Sequence, residues 1–430
     1  MRRAFPAAVV ALLALAAAAC GSSGHEAGGD GGASDTATSF DAPPRKDASH
    51  PAADAGHPKD ASHPADHSVP RDAEHAPDSA RTPDGSPGTG DTGASAGLHV
   101  VGNTLVDHGK VVRLLGVDHS GGEFSCVGSN GTNGYAFFDG PTDDSLVNPM
   151  LAWKVNAVRL PLNEECWLGI NGVAPAYSGA NYQAAVTSLV SLFRSHGIYV
   201  ILYLHWGAPG GSIGTSQQPM ADADHASAFW TSVASTFKGD VGVVFDLFNE
   251  PYLATGNISD GTDPWDCLEN GCEADLQTPL SGTYMTAGMQ ALVTAVRATG
   301  AENVIMVSGL GYTSDLSGWV AHEPTDPLGN LAASLHLYNF NGCTDATCWN
   351  TSYAAVAVAV PIITGENGEN DCGTSFVDAY MTWADGLGIS YLGWSWNAFD
   401  CSSFPALIST YDGGVPTGYG VGLQQHLLGL

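Results

Sequence analysis

From residue 97 onward the apolar positions fall into two alternating patterns. Short runs rich in Val, Ile, Leu and aromatic residues occur at Val111–Val117, Asn156–Leu162, Tyr199–His205, Val243–Asn249, Asn303–Ser308, Ala332–Tyr338, Pro361–Glu366 and Ser390–Trp396. Near-continuous apolar runs of this length predict strands buried on both faces. Between them lie stretches of helical length, among them Asn181–His196, Ala221–Phe237, Thr283–Ala298 and Ser375–Leu387. Strands alternating with helices imply a parallel sheet covered on both sides. Eight such units in one domain predict an α/β fold of the (β/α)8 TIM-barrel type over residues 97–430. A barrel of this kind puts its chemistry at the C-terminal ends of the strands, so the run ends carry the functional reading.

Those ends are polar or aromatic in six of eight cases. The second run holds Arg159 in VRLP, and the third closes on His205 and Trp206. The fourth reaches Asn249 and Glu250 just before Pro251. The sixth carries His336 and Tyr338, the seventh Glu366, and the eighth Trp394, Trp396 and Asn397. Any one of these has an ordinary structural reading; their convergence on one face is the signal. Two glutamates on separate strands suit glycoside hydrolysis, in which one carboxyl protonates the leaving oxygen and the other attacks or activates water. Arg159, inside an apolar strand, must be paired, most simply with a carboxylate. Asn249 can hold a sugar hydroxyl, the histidines and Tyr338 can orient the nucleophile, and Trp396 offers a flat face to a pyranose ring. Glu369, three residues past Glu366, reads as a solvated or loop-bracing carboxylate.

The segments VRLP, LHW, NEP, HLY, TGE and WSWN, in this order, resemble glycoside hydrolase family 5, a retaining family of cellulases and related endo-glycanases. The opening Val101–Phe124 is similar to the family's first-strand region. The resemblance implies Glu250 as acid/base and Glu366 as nucleophile. It also implies that Arg159, His205, Asn249, His336, Tyr338 and Trp396 surround the scissile sugar, with His119 at a more distant subsite. β-1,4-Glucan is the expected substrate; mannan and other β-glycans are alternatives, as is a non-catalytic carbohydrate-binding protein on the same barrel. No cofactor or metal is expected.

The N-terminal part changes the picture of location rather than chemistry. Residues 1–20 have a basic start, an Ala/Leu/Val run and a terminal Ala-Ala-Ala-Cys, the outline of an export signal. Small residues before Cys20 resemble a bacterial lipoprotein signal, with Cys20 lipidated; ordinary cleavage is the alternative. Residues 21–96 are Ala, Asp, Pro, His, Gly and Ser with almost no aliphatics, and KDASHPA occurs twice. Such a segment cannot bury enough apolar surface to offset its ordering entropy, so it is expected to be a disordered linker. An exported, surface-held monomer is the resulting expectation, with a membrane contact only through that lipid.

Charge and cysteines narrow the partners further. Residues after 96 carry 7 Lys+Arg against 31 Asp+Glu, which excludes a nucleic-acid partner and suits a neutral polysaccharide. Beyond Cys20 there are eight cysteines, an even set that in an exported chain reads as disulfides. Cys267/Cys272 and Cys343/Cys348 can staple single loops; for the other four we take Cys126–Cys166 and Cys372–Cys401. Gly210–Gly214 matches a G-x-S-x-G nucleophile elbow, but no helix follows Ser212 closely enough. The DADH stretch, Asp222–His225, reads as a helix N-cap in preference to a metal site.

Overall fold

The computed structural model describes residues 97–128, 136–401 and 405–430. The export signal, Cys20 and the linker, at residues 1–96, lie outside the described residues. Eight parallel strands close into a barrel: β1 (Leu115–Asp118), β2 (Ala157–Asn163), β3 (Tyr199–Trp206), β4 (Val243–Asp246), β5 (Ile305–Ser308), β6 (Leu331–Tyr338), β7 (Ile362–Gly368) and β8 (Ser390–Gly393). Each pairs with its sequence neighbours, and β8 closes on β1 through Tyr391, Leu392 and Gly393 opposite Leu115, Gly116 and Val117. Among the described residues no helix is long and apolar enough to cross a membrane.

The alternation of side chains along a strand explains two separate cores. One parity points outward, and residues such as Val158, Leu160, Val200, Leu202, Phe245 and Leu335 pack against the helices. The other points inward. Its lowest layer is an apolar plug of Leu114, Ala157, Ile201, Val244, Met306, Ala332, Ile363 and Leu392. An antiparallel sheet, His99–Val101 with Thr104–Asp107 and Lys110–Val112, contributes Leu105 to that same cluster. Two residues further along most strands the inward positions turn polar: Asp118, Arg159, Tyr203, His205, Asp246, Ser308, Ser334 and His336. The sequence period of two therefore carries the apolar floor and the polar mouth on the same strands.

The predicted boundaries shift where side chains take over backbone hydrogen bonds. Val111–Val117 is two strands, because the Asn156 side chain accepts from Leu115 N–H and donates to the Arg113 carbonyl, interrupting the run. The helix expected from Ala221 begins at Ala226, since Asp222 first accepts from the His225 backbone N–H in a turn. The stretch from Thr283 opens as a short strand, Thr283–Met285, and becomes helical only at Met289. Ser375–Leu387 is helical as expected.

All four expected disulfides form: Cys126–Cys166, Cys267–Cys272, Cys343–Cys348 and Cys372–Cys401. Each lies in segments that follow the C-terminal ends of strands. The first ties the segment after β1 to that after β2, and the last ties the segment after β7 to that after β8. Cross-links are thus concentrated where loops have to hold a shape without sheet hydrogen bonds.

Candidate active site

The centre of the mouth is Arg159 on β2, fully buried. Its guanidinium donates to Asp118 on β1 at 3.0 Å, to Asp246 on β4 at 3.0 Å, to Glu366 on β7 at 2.8 Å and to Asn249 beyond β4 at 2.9 Å. Its central carbon lies 3.4 Å from the ring centroid of Tyr203 on β3, a cation–π contact between two fully buried groups. Five chain segments are thereby registered on one cation. A buried guanidinium is tolerated only with this kind of full pairing, and its five-donor fork suits it to several acceptors at once.

Glu366 reaches the mouth through a β-bulge. In register, Leu335 faces Thr364 but His336 faces Glu366, so Gly365 is the extra residue of β7. Without it Glu366 would share the outward parity of Ile362 and Thr364, whose hydroxyl meets Tyr380 on the helix Ser375–Leu387. Glycine leaves room there: a Cβ on Gly365 would lie 3.1 Å from His336 Nε2 and 3.2 Å from Arg159 Nε, so both side chains would have to give way. Besides Arg159, Glu366 accepts a 2.6 Å bond from the Tyr338 hydroxyl.

Glu250 sits just past β4 with φ of +52°, a left-handed backbone that costs a non-glycine residue roughly 1 kcal/mol or more. It is held by Gln217, whose side-chain amide donates to the carbonyls of Asn249 and Glu250. The Glu250 carboxylate lies 3.0 Å from His336 Nδ1, which is 3.6 Å from Glu366. One oxygen of each glutamate and a ring nitrogen of His336 fall within 4.8 Å of one another. Glu250 is 19% exposed and Glu366 5%, so both carboxyls open to the cleft while their supports do not.

Electrostatics separates the two acids. Burial raises the Glu366 carboxyl above its ordinary value, and Arg159 and the Tyr338 hydroxyl pull it back. Burial and then the Glu366 charge raise Glu250 much further, with only Arg159 opposing. Of the two acids, Glu250 is therefore the one that holds a proton more readily. Burial and Arg159 push His205 down to about 3, and these causes together with His205 drive His336 well below its usual range, so both imidazoles are neutral. Burial lifts Asp246 to about 6 and Asp118 well above the carboxylate range, against the pull of Arg159.

Not every expected site residue lies at the mouth. Arg159, His205, Asn249, Glu250, His336, Tyr338 and Glu366 come together there, with Arg159 and Asn249 closed off from solvent: Arg159 donates to Glu366, and Asn249 accepts from Arg159. Trp396 is 0% exposed, with its ring edge-on to Trp153 and the glycine at 414 against its face, so it offers no platform to a sugar. It lies beyond the end of β8, where strand alternation no longer directs a side chain. Trp394, likewise past Gly393 but 7% exposed, is the more accessible indole. His119 is also fully buried, stacked near Phe138, because it has the outward parity of Val117. The inward neighbour Asp118 is the one that meets Arg159, and neither it nor Asp246 nor Tyr203 was expected at the mouth from the sequence. An acid at an inward position of an otherwise apolar strand is the signal that could have found both aspartates. Glu369 is buried and not solvated: it accepts from the Val377 N–H and braces the first turn of the helix Ser375–Leu387. Ser212 stands in an exposed irregular loop with no helix before Ala226.

Comparison with known proteins agrees with this geometry. The cellulase (glycosyl hydrolase family 5) model matches residues 117–400. A mannan endo-1,4-beta-mannosidase of Streptomyces lividans is 23% identical over 319 residues, covering 71% of this chain and 67% of its own length. Endoglucanase 1 of Robillarda sp. is 26% identical over 257 residues, 53% of this chain and 59% of that protein. A solved β-glucanase from Saccharophagus degradans shares the fold with a TM-score of 0.56 at 20% identity, over 77% of this chain and 93% of its own. The closed barrel and a family match over most of the domain lead to one assignment: the chain belongs to glycosyl hydrolase family 5.

Proposed function

We propose that the protein is a retaining endo-β-1,4-glycanase acting on β-1,4-glucan, with Glu366 as nucleophile and Glu250 as acid/base. The observation that carries this reading is the approach of the two carboxyls, with oxygens inside 4.8 Å. Retaining pairs stand about 5–5.5 Å apart, while inverting pairs need about 6.5–9.5 Å to admit a water. In the first step a Glu366 oxygen bonds to the anomeric carbon as the glycosidic C–O bond breaks, and Glu250 gives its proton to the departing oxygen. The resulting ester carries no charge, so the field that raised Glu250 disappears and its carboxylate becomes a base. Glu250 then takes a proton from water as that water attacks the anomeric carbon and frees Glu366. His336, kept neutral, holds the Glu250 carboxyl in place throughout.

The test is kinetic. Glu366→Gln is expected to cut kcat by roughly 10⁴-fold or more, and Glu250→Gln by about 10²–10⁴-fold on unactivated glycans. Azide restores turnover of activated aryl glycosides to only some of these variants, and near-wild-type rates in either variant would overturn the assignment. Mannan is the second reading, supported by mannosidase relatives at 23% and 24% identity. Product analysis on cellulose, mannan, xyloglucan and mixed-linkage glucan decides between them. We also propose that the enzyme is exported and held at the cell surface by lipid on Cys20, with residues 21–96 as tether. The sequence pattern around Cys20 supports this, and a Cys20→Ser chain that stays in the membrane fraction would exclude it.

A further inference from the structure

A second carboxylate cluster lies outside the mouth chemistry, between the segments that follow β2 and β3. Glu164 and Asp222 are both fully buried, and both accept from one donor, the Ala208 N–H, at 2.7 and 3.2 Å. Among the described residues neither pairs with a lysine or arginine. His225 stands beside them with Nδ1 3.6 Å from Asp222 Oδ1 and 3.0 Å from the Ala208 carbonyl oxygen. One oxygen each of Glu164 and Asp222 and a ring nitrogen of His225 lie within 4.8 Å of one another. Glu164 Oε1, in this fully buried side chain, has no hydrogen-bond partner. Two buried acids that both accept from the Ala208 N–H, with Asp222 also accepting from the His225 N–H, have no lysine or arginine beside them, and Glu164 keeps one oxygen without a partner.

We propose that this cluster is a binding site for a first-row divalent cation of the Zn2+ or Mn2+ kind. With the imidazole proton on Nε2, His225 Nδ1 and the Ala208 carbonyl become donors alongside the two carboxylates. Donor separations of 3.0 and 3.6 Å are those of atoms that share one ion at about 2.1 Å. The mixed nitrogen and oxygen set favours such an ion over Ca2+, which takes six or more oxygens. An entry path exists, since His225 is 24% and the adjoining Asp224 50% exposed. The ion would join two mouth segments that no disulfide links. DADH is not the helix N-cap read from the sequence: Asp222 accepts from the His225 N–H in a turn that precedes the helix at Ala226, and the metal reading set aside there is taken up instead. The group of Asp266, Glu269 and His322 lies nearer the surface, with Asp266 59% exposed, and has no comparable buried orphan.

The test uses the full chain, stripped with EDTA and dialysed, then titrated separately with Zn2+, Mn2+ and Ca2+. Bound metal is read by mass spectrometry and the thermal midpoint by intrinsic fluorescence. About one equivalent of Zn2+ or Mn2+ is expected, with a rise in midpoint that grows with metal concentration and a weaker response to Ca2+. His225→Ala, at the accessible edge, is expected to abolish both effects, as is Glu164→Gln where that variant folds. Glu366→Gln, which alters the other group of close acids, is expected to keep both. No stoichiometric binding, unchanged binding in His225→Ala, binding lost in Glu366→Gln, or Ca2+ equal to Zn2+ would each overturn the proposal. A proton shared by Glu164 and Asp222 would then be the occupant.

Discussion

The floor and the mouth of the barrel are built by the same eight strands, two residues apart, and obey opposite physics. The floor is Leu, Ile, Val, Ala and Met packed without a charge. The mouth places one guanidinium among Asp118, Asp246 and Glu366, all buried from solvent. Burial of apolar area stabilises the first, whereas the second is stable only as a complete set, because any member left unpaired keeps its desolvation cost. Stability is thus concentrated below, and above it the protein holds carboxyls at raised pKa values that suit proton transfer near neutrality.

The sharpest way to break that contrast is Arg159→Met. It leaves three buried carboxyls without their cation, and the expected loss is about 3–5 kcal/mol of unfolding free energy in urea titrations near neutral pH. Activity should fall with it, since Glu366 loses its main donor. The pH dependence has a definite sign. Asp246 has a folded pKa of about 6 against 3.8 for the free side chain, so between those values the folded state binds more protons and stability falls as pH rises. Removing the cation raises these carboxyls further and steepens the fall, so the deficit of the variant is expected to be smaller at pH 5 than at pH 8. A deficit that is the same at both values would mean that Arg159 acts through packing alone.

Leu392→Ala sharpens the contrast from the other side. Leu392 is a buried member of the floor on β8, two residues before Trp394. Truncation there is expected to cost about 2–5 kcal/mol through lost burial and the cavity left behind. No titratable group changes, so the loss should be the same at pH 5 and pH 8, and kcat below the unfolding range should stay near the wild-type value.

Much of this division was legible in the sequence, for a physical reason. Strands buried on both faces must read as apolar runs, and interruptions such as Arg159 and Glu366 stand out against them. Adjacent cysteines and strand-end glutamates are local features, and local features survive in a sequence. What escaped depends on parity and register. His119 and Asp118 are neighbours in GVDHSG, and only the pleat decides that the aspartate faces inward. Trp394 and Trp396 are equivalent in WSWN, and since the strand ends at Gly393, before both, its alternation does not tell them apart. The bulge at Gly365, which turns Glu366 from the helix layer into the mouth, leaves no mark except a glycine before a glutamate.

Glu369 provides the finest division, because it lies one residue beyond β7 and three beyond Glu366. It has the same chemistry as the nucleophile, is equally buried, and also has a raised carboxyl, chiefly through burial. Its partner differs: Oε1 accepts from the Val377 N–H in the first turn of the helix Ser375–Leu387, where free N–H groups need an acceptor. Glu369→Ala therefore removes a cap rather than a reactant. The expected cost is about 1 kcal/mol of stability, seen as a small shift in the urea midpoint, with kcat on soluble glucan within a few-fold of wild type. Glu369→Gln, which keeps an acceptor for Val377, should recover most of that stability. A fall in kcat as deep as that of Glu366→Gln, with the midpoint unmoved, would place Glu369 in the mouth and dissolve the boundary between its chemistry and its frame.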